Sequence, residues 1–171
     1  IVNTNGILIA GTRLAIDSKS LTGDGKVLSQ GDLTVKLIDG YTHTGEFVAN
    51  GNATLQTSGN LTNQAKLLAG NSLTLTATNI NNTASREISG RNTNVTANNK
   101  LANRGLINGG DTFINAAILD NLGTGRIYGD HVAIAANTLT NDTETVSGLR
   151  ADAVIAARQR LDIGATTISN R

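Results

Sequence analysis

The side chains best placed to do chemistry are the carboxylates of Asp111 and Asp130, which follow glycines in adjacent stretches of the chain. If one structural repeat separates them, they would stack as close acids, as in Ca²⁺ sites and in glycoside hydrolysis. Arg91 falls in the same expected column and would neutralise the pair, and Asn52 and Asn71 fill that corner elsewhere. We therefore interpret both aspartates as polar turn residues, and the sequence predicts no catalytic residue, metal ligand or cofactor site.

The chain has only two histidines, His43 and His131. They lie four repeats apart, which is ~20 Å at the strand spacing of a β-sheet. That separation is too large for the two imidazoles to share a metal ion or a proton. We interpret both histidines as surface turn residues.

An asparagine recurs two residues after an apolar residue, at Asn63, Asn82, Asn103, Asn121 and Asn141. Amide side chains at such a position could bind a polar ligand. They could also form a ladder, in which stacked asparagines hydrogen-bond to one another and to the turn backbone. The regular spacing favours the ladder.

These residues are positioned by an internal repeat of about twenty residues, which must be sought before secondary structure is assigned. Most copies contain an alternating apolar pair, such as Leu73 and Leu75, and this alternation is typical of a half-buried strand. Two further apolar positions follow, such as Leu61 and Leu67. Glycines mark the copies at Gly11, Gly31, Gly51, Gly70, Gly90, Gly109 and Gly129. We expect these corner glycines to adopt left-handed backbone angles.

Three short strands per repeat cannot close a sheet by themselves, and no stretch has helical periodicity. The consistent fold is all-β: a right-handed parallel β-helix of about eight coils, in which each strand pairs with its equivalents in the neighbouring coils. The chain has no proline. This agrees with the fold, because proline would remove a hydrogen-bond donor from a strand that is paired on both sides.

The period breaks once, after Asn141, where about nine residues are extra. We predict an inserted loop over residues 143–153, whose charged residues are Glu144, Arg150 and Asp152. Insertions in solenoids form loops on one face, which is often the binding face. The segment is therefore a recognition loop in one interpretation, and a tolerated extrusion or short capping strand in the other.

Two stretches carry the repeat most clearly: residues 70–77 (GNSLTLTA) and 119–129 (LDNLGTGRIYG). Eight degenerate copies of this pattern resemble the repeat of filamentous haemagglutinin and its relatives. That family includes large bacterial adhesins and the exoproteins of contact-dependent growth inhibition. The resemblance implies two-partner secretion through a dedicated outer-membrane transporter, and display as a β-helical filament at the cell surface. The family's secretion and toxin regions have no counterpart motif here.

Composition narrows the remaining classes. The 171 residues carry a formal net charge of +1, and 2% are aromatic, which indicates neither a basic patch nor a stacking platform for nucleic acid. No apolar run approaches ~20 residues, so no integral membrane segment is expected. The absence of cysteine excludes disulfides and thiolate-bound metals. Both ends read as the middle of a repeat, so residues 1–171 are expected to be one segment cut from a longer filament.

We therefore predict a structural shaft segment of a secreted, cell-surface bacterial exoprotein, which is not an enzyme. Its expected partners are the outer-membrane transporter and a receptor on a host or neighbouring cell. One alternative is a carbohydrate-active β-helix enzyme that uses Asp111 and Asp130. Another is an adhesin surface that binds a glycan or a receptor through residues 143–153.

Overall fold

The computed structural model describes residues 1–171, of which 73% are in strands. It contains no helix, and so none that is long and apolar enough to cross a membrane. The strands are β1 (Ile7–Ala10), β2 (Arg13–Ser18), β3 (Lys26–Ser29), β4 (Asp32–Leu37), β5 (Tyr41–His43), β6 (Glu46–Ala49), β7 (Ala53–Thr57), β8 (Asn60–Asn63), β9 (Lys66–Ala69), β10 (Ser72–Asn82), β11 (Glu87–Ser89), β12 (Asn92–Asn103), β13 (Leu106–Asn108), β14 (Asp111–Leu122), β15 (Arg126–Val146), β16 (Leu149–Asp152) and β17 (Val154–Asn170).

The strands wind into a parallel β-solenoid of about seven turns, which confirms the predicted parallel β-helix. Each coil contributes to three faces, which we call A, B and C; in one coil they are β7, β8 and β9. Each strand pairs in parallel with its counterpart one coil later, so that β7 lies between β4 and β10 on face A. From β10 onward, single long strands run through faces A and B. The right-handed sense stays a prediction that rests on the chirality of parallel crossovers.

The core consists of aliphatic stacks along the solenoid axis, at the apolar positions that the repeat predicted. Neighbours in one stack are one strand spacing apart, ~4.8 Å, so each coil buries its apolar surface mainly against the next coils. The main stacks are Val35, Leu55, Leu75, Val95, Ile114 and Ile134 on face A, Tyr41, Leu61, Ile80, Leu101, Leu119 and Leu139 on face B, and Val27, Phe47, Leu67, Ile88, Ile107 and Ile127 on face C.

Corner glycines such as Gly31 and Gly70 are required by the close approach of successive coils, and the expected left-handed backbone angles are wrong. A Cβ at Gly31 would lie 1.9 Å from the carbonyl oxygen of Thr12, and a Cβ at Gly70 would lie 2.1 Å from that of Asn50. Only a hydrogen fits in that space. The glycines with positive φ lie outside the twenty-residue series, at Gly23, Gly123 and Gly148.

The segment that breaks the period is an antiparallel β-hairpin. Residues 143–146 at the end of β15 pair with β16, and the two strands meet in a turn at Ser147 and Gly148. Both turn residues have positive φ, at 50° and 80°. Val154 then returns to face C, in register with Arg126, and the parallel ladder continues.

Candidate functional site

Asp111 lies at the start of β14, in an outward column of face A between Asn92 and His131. Its Oδ1 is 2.9 Å from Nδ1 of His131, and both side chains are about half exposed. The expected stacking of Asp111 on Asp130, with Arg91 in the same column, is wrong. His131 and Asn92 hold those two positions, because Asp111 is the second residue after Gly109, whereas Asp130 is the first residue after Gly129.

Asp130 occupies the position that Gly110 has one coil earlier, and its N–H donates to the Gly110 carbonyl at 2.7 Å. Its carboxylate accepts a hydrogen bond from Nε of Arg158. Asp111 and Asp130 therefore each have a separate nitrogen partner, and they do not form the acid pair that glycoside hydrolysis needs. No group of three or more His, Cys, Asp or Glu side chains lies together in the structure in a way that could hold a metal ion.

His43 is buried, with 1% of its surface exposed, so the interpretation of this residue as a surface turn residue is wrong. The side chain points inward from β5, in register with Asn63. Its Nε2 is 3.0 Å from the Lys66 carbonyl oxygen, and its Nδ1 is 3.2 Å from the Tyr41 hydroxyl. Because a carbonyl can only accept, Nε2 donates to Lys66, and in the neutral ring Nδ1 accepts from Tyr41.

The buried position of His43 favours its neutral form. Burial lowers the pKa of the His43 imidazole below its ordinary value, and the hydrogen bond to the Lys66 carbonyl opposes that lowering in part. His131, by contrast, is exposed, which confirms its interpretation as a surface residue, but it lies within strand β15 rather than in a turn. The two histidines thus differ in environment, although both occur in similar polar stretches of sequence.

The asparagine ladder favoured by the spacing is present, and it extends further than the sequence pattern indicated. Each Nδ2 donates to the Oδ1 of the next asparagine at 2.7–2.9 Å. The same amides also donate to backbone carbonyls near face C, such as those of Glu87 and Leu106. These bonds occupy the amides within the corner between faces B and C, rather than presenting them to a ligand. The ladder residues are Asn63, Asn82, Asn103, Asn121, Asn141 and Asn170.

Three overlapping stretches match the family model described as Haemagglutinin repeat, at residues 8–65, 48–105 and 102–165. The chain belongs to the haemagglutinin repeat family. Each matched stretch spans about three coils, so the matches together follow the solenoid along almost its whole length. Haemagglutinin repeat proteins are of a structural, adhesin type and are typically secreted or on the cell surface. Searches of curated proteins and of solved structures found no match.

The hairpin of this haemagglutinin-repeat chain is anchored at its base. Nε and Nη2 of Arg104 donate to the two carboxylate oxygens of Glu144 at 2.8 and 2.6 Å, which is the bidentate fork geometry of strong ion pairs. Nη1 of Arg126 donates to the backbone carbonyl of Asp152 at 2.7 Å. Beyond these contacts the tip projects into solvent, and Leu149 is 75% exposed.

Face C of the haemagglutinin-repeat solenoid carries outward residues that the sequence pattern did not bring out. Four aliphatic side chains in successive coils form what we call the apolar stripe: Ile9, Leu28, Val48 and Leu68. Beside it runs a column that continues to Arg126 and Val154, and we call its first six residues the charged column: Ile7, Lys26, Glu46, Lys66, Glu87 and Leu106. A signal was present, because adjacent apolar residues of one strand must point to opposite faces of the sheet. One residue of each apolar pair in β3, β6 and β9 therefore has to face solvent.

Proposed function

We propose that this chain is a shaft segment of a secreted, cell-surface bacterial exoprotein that acts in adhesion or contact-dependent growth inhibition. The observation that carries the proposal is the parallel ladder, which joins every coil to the next over about seven turns. At ~4.8 Å per coil the segment is a rod of roughly 34 Å. In this function the chain supplies length and stiffness, and it holds a more distal part of the exoprotein away from the cell.

Three layers of interaction make such a rod resist bending. Backbone hydrogen bonds join each strand to the coils above and below it, and the aliphatic stacks fill the space between the three faces. The asparagine ladder adds a line of buried side-chain hydrogen bonds at one corner. Bending the rod would open all three layers on one side together, and buried polar groups that lose their partners are costly.

We further propose that the chain is not an enzyme, and that export proceeds through an outer-membrane partner transporter. The alternative of a carbohydrate-active enzyme depends on Asp111 and Asp130. The separate partners of these residues, His131 and Arg158, favour surface side-chain contacts instead. We propose that a receptor on a host or neighbouring cell binds the exoprotein either on residues 1–171 or on a part of the exoprotein further from the secreting cell.

Export is tested by placing the chain behind the secretion domain of a two-partner exoprotein, with and without the matching transporter. We expect the segment to become accessible to protease on intact cells only when the transporter is present. Retention inside the cell in both cases would contradict the proposal. A second measurement tests the shaft role itself. Residues 72–130 form three coils, and duplicating them should lengthen the particle by ~14 Å. Small-angle scattering measures that length. Unchanged length or loss of folding would count against a modular shaft.

The hairpin supports a second candidate function, in which the segment itself recognises a receptor or glycan. Its base is fixed by Arg104 and Arg126, while Leu149 at the tip is exposed, an arrangement that suits a recognition element. Deleting residues 143–152 would restore the repeat length and leave the solenoid intact. Loss of attachment to target cells would favour this function, and unchanged attachment would eliminate it. Leu149→Ser serves as the variant that keeps the hairpin.

A further inference from the structure

The apolar stripe is unusual among the outward positions of this solenoid. The outward column of face B reads Thr42, Thr62, Asn81, Ala102, Asp120 and Thr140, and that of face A reads Asp17, Lys36, Gln56, Thr76, Thr96 and Asn115. Face C instead places four branched aliphatic side chains in a row, of which Ile9 is 60% exposed and the others partly exposed. Single exposed apolar residues are ordinary, but a contiguous row beside charged residues is typical of an interaction surface.

We propose that the apolar stripe and the charged column form a contact surface between two copies of this chain, packed face to face with their solenoid axes antiparallel. The contact is isologous, meaning that the same surface is used by both copies around a two-fold axis. That axis lies in the plane of the contact and perpendicular to the solenoid axes. It reverses the coil order of the second copy and keeps each column opposite its own equivalent.

The order of residues in the charged column indicates that the binding partner is a second copy of this chain. Over its first six coils the column reads Ile, Lys, Glu, Lys, Glu, Leu. Reversal turns these six positions into their own complement when the two-fold axis lies between Glu46 and Lys66, which leaves Arg126 and Val154 outside the overlap. Ile7 then faces Leu106 of the second copy, and Lys26 faces Glu87. In the same way, Glu46 faces Lys66 of the second copy. All six positions therefore meet either an opposite charge or another aliphatic side chain.

The centre of the apolar stripe fits the same arrangement. Val48 faces Leu68 of the second copy at the centre of the contact, where aliphatic burial is most complete. Further from the centre, Leu28 faces Ser89 of the second copy and Ile9 faces Asn108, so the outer pairs combine an aliphatic with a polar side chain. A central apolar contact with charged residues alongside has the usual composition of a protein interface.

The parallel arrangement lacks this complementarity. A two-fold axis along the solenoid would place the charged columns of the two copies on opposite edges of the contact, where their charges could not meet. Within one chain, Lys26 and Glu46 lie 2.8 Å apart, and Lys66 and Glu87 lie 3.2 Å apart. In these pairs the side chains of Lys26 and Glu46 remain about half exposed and that of Lys66 is 66% exposed, so they can accept a second partner, whereas Glu87 is 26% exposed.

The contact is small and is expected to be weak. Two columns over six coils bury less area than the standard interface of stable complexes, so the dimer belongs with transient interfaces. If the chain is part of a cell-surface filament, as the proposed function holds, an antiparallel contact would join filaments that point in opposite directions. Filaments on two facing cells have that relative orientation. The association itself is measurable with the isolated chain, so its outcome is independent of secretion.

Sedimentation velocity over a concentration series measures dimerisation, and variants that change the order of charges in the charged column test whether this surface forms the contact. Glu46→Lys places a second lysine opposite Lys66 of the other copy, and we expect it to weaken dimerisation about tenfold or more. Adding Lys66→Glu to that variant yields the order Lys, Lys, Glu, Glu, which is again its own complement, and should restore the dimer. Asp17→Lys makes the same charge change on face A and should leave dimerisation unchanged. A chain that stays monomeric, or a dimer indifferent to Glu46→Lys, would overturn the proposal.

The antiparallel order is tested by spin-label distances, which is straightforward because the chain has no cysteine. Labels at Ser89→Cys should be separated by ~14 Å along the axis between copies, and labels at Tyr128→Cys by ~34 Å. A parallel dimer would give the same separation at both positions. Equal distances, or oligomers larger than a dimer that ignore the charge variants, would contradict the arrangement and would indicate end-to-end stacking instead.

Discussion

Nδ2 of Asn103 donates a hydrogen bond to Oδ1 of Asn121 at 2.8 Å, although 18 residues separate the two side chains. Asn103 also accepts from Nδ2 of Asn82 and donates to the Arg126 carbonyl. One buried side chain thus links three consecutive coils of face B to the adjoining face C. Because every bond of this kind depends on the coils being one strand spacing apart, the ladder also fixes the register of the solenoid.

Asn103→Ala is expected to destabilise the fold by about 2–5 kcal/mol, because it leaves a buried donor on Asn82 and a buried acceptor on Asn121 without partners. The matched control is Asn99→Ala, which removes a similar side-chain bond to Asn79 at an exposed position and should cost less than about 0.5 kcal/mol. Urea denaturation measures both. Equal effects of the two substitutions would show that the buried ladder contributes nothing beyond a surface ladder.

Acid is expected to weaken the fold through His43. Because burial lowers the pKa of His43 in the folded state, the unfolded chain binds the proton more readily. The neutral His43 side chain makes its full contribution to stability above the pKa of histidine in the unfolded chain, about 6.5. That contribution is lost as pH falls through the lower pKa of His43 in the folded chain. Comparing urea midpoints at pH 7.5 and 5 measures the loss.

The control for this pH dependence is His43→Asn, which places the ladder's own residue at that position. The variant should lose less stability than the native chain between pH 7.5 and 5. If His43→Asn and the native chain respond to acid alike, the buried imidazole is not the group responsible.

Alkaline pH is expected to weaken the fold through Tyr41, whose hydroxyl contacts His43. Burial raises the pKa of Tyr41 to about 12, whereas its ordinary value is about 10. Because the pKa of Tyr41 is higher in the folded chain than in the unfolded chain, the buried phenol stabilises the fold fully below pH 10. That contribution is lost as pH rises from about 10 through 12. A Tyr128→Phe background leaves Tyr41 as the single tyrosine, so absorbance at alkaline pH reports its ionisation alone. A midpoint near 10 in the folded chain would contradict the buried position.

Gly70→Ala is expected to destabilise the fold by about 3 kcal/mol, because the added methyl group overlaps the Asn50 carbonyl of the preceding coil. Gly164→Ala is the matched control, since the nearest atom to a Cβ there is 3.9 Å away. That substitution should be neutral or stabilising by about 0.5–1 kcal/mol, because alanine is preferred to glycine within a strand. Thermal unfolding of both variants separates steric overlap from the general effect of replacing glycine.

The sequence pattern was sufficient for the inward residues and insufficient for the lateral relations between coils. Alternation identifies Leu73 and Leu75 as one buried face of a strand, because the side-chain period of a strand is two. The spacing of Asn63 and Asn82 likewise indicated the ladder. Both features repeat within one coil or at a constant interval, so they are visible along the chain itself.

The errors arose where one residue more or less changes which side chains meet. Asp111 and Asp130 both follow a glycine, but Asp111 follows the second glycine of a pair and therefore lies one position further along its coil than Asp130 does. His43 belongs to the asparagine column although its residue type differs, and burial depends on that column rather than on polarity. The glycine of a corner such as Gly70 could reflect either backbone angle or space, and only the distance to the neighbouring coil decides between them.

The side-chain amides of the ladder all point the same way along the solenoid, from Asn63 towards Asn170. An amide dipole is about 3.5 D, and aligned dipoles add, as they do in a helix. Each hydrogen bond also polarises the next one in the row. The rod consequently has an electrical polarity along its axis, with the positive end towards Asn170, so that charged or dipolar groups brought near its two ends would be distinguished even where the surrounding side chains are alike.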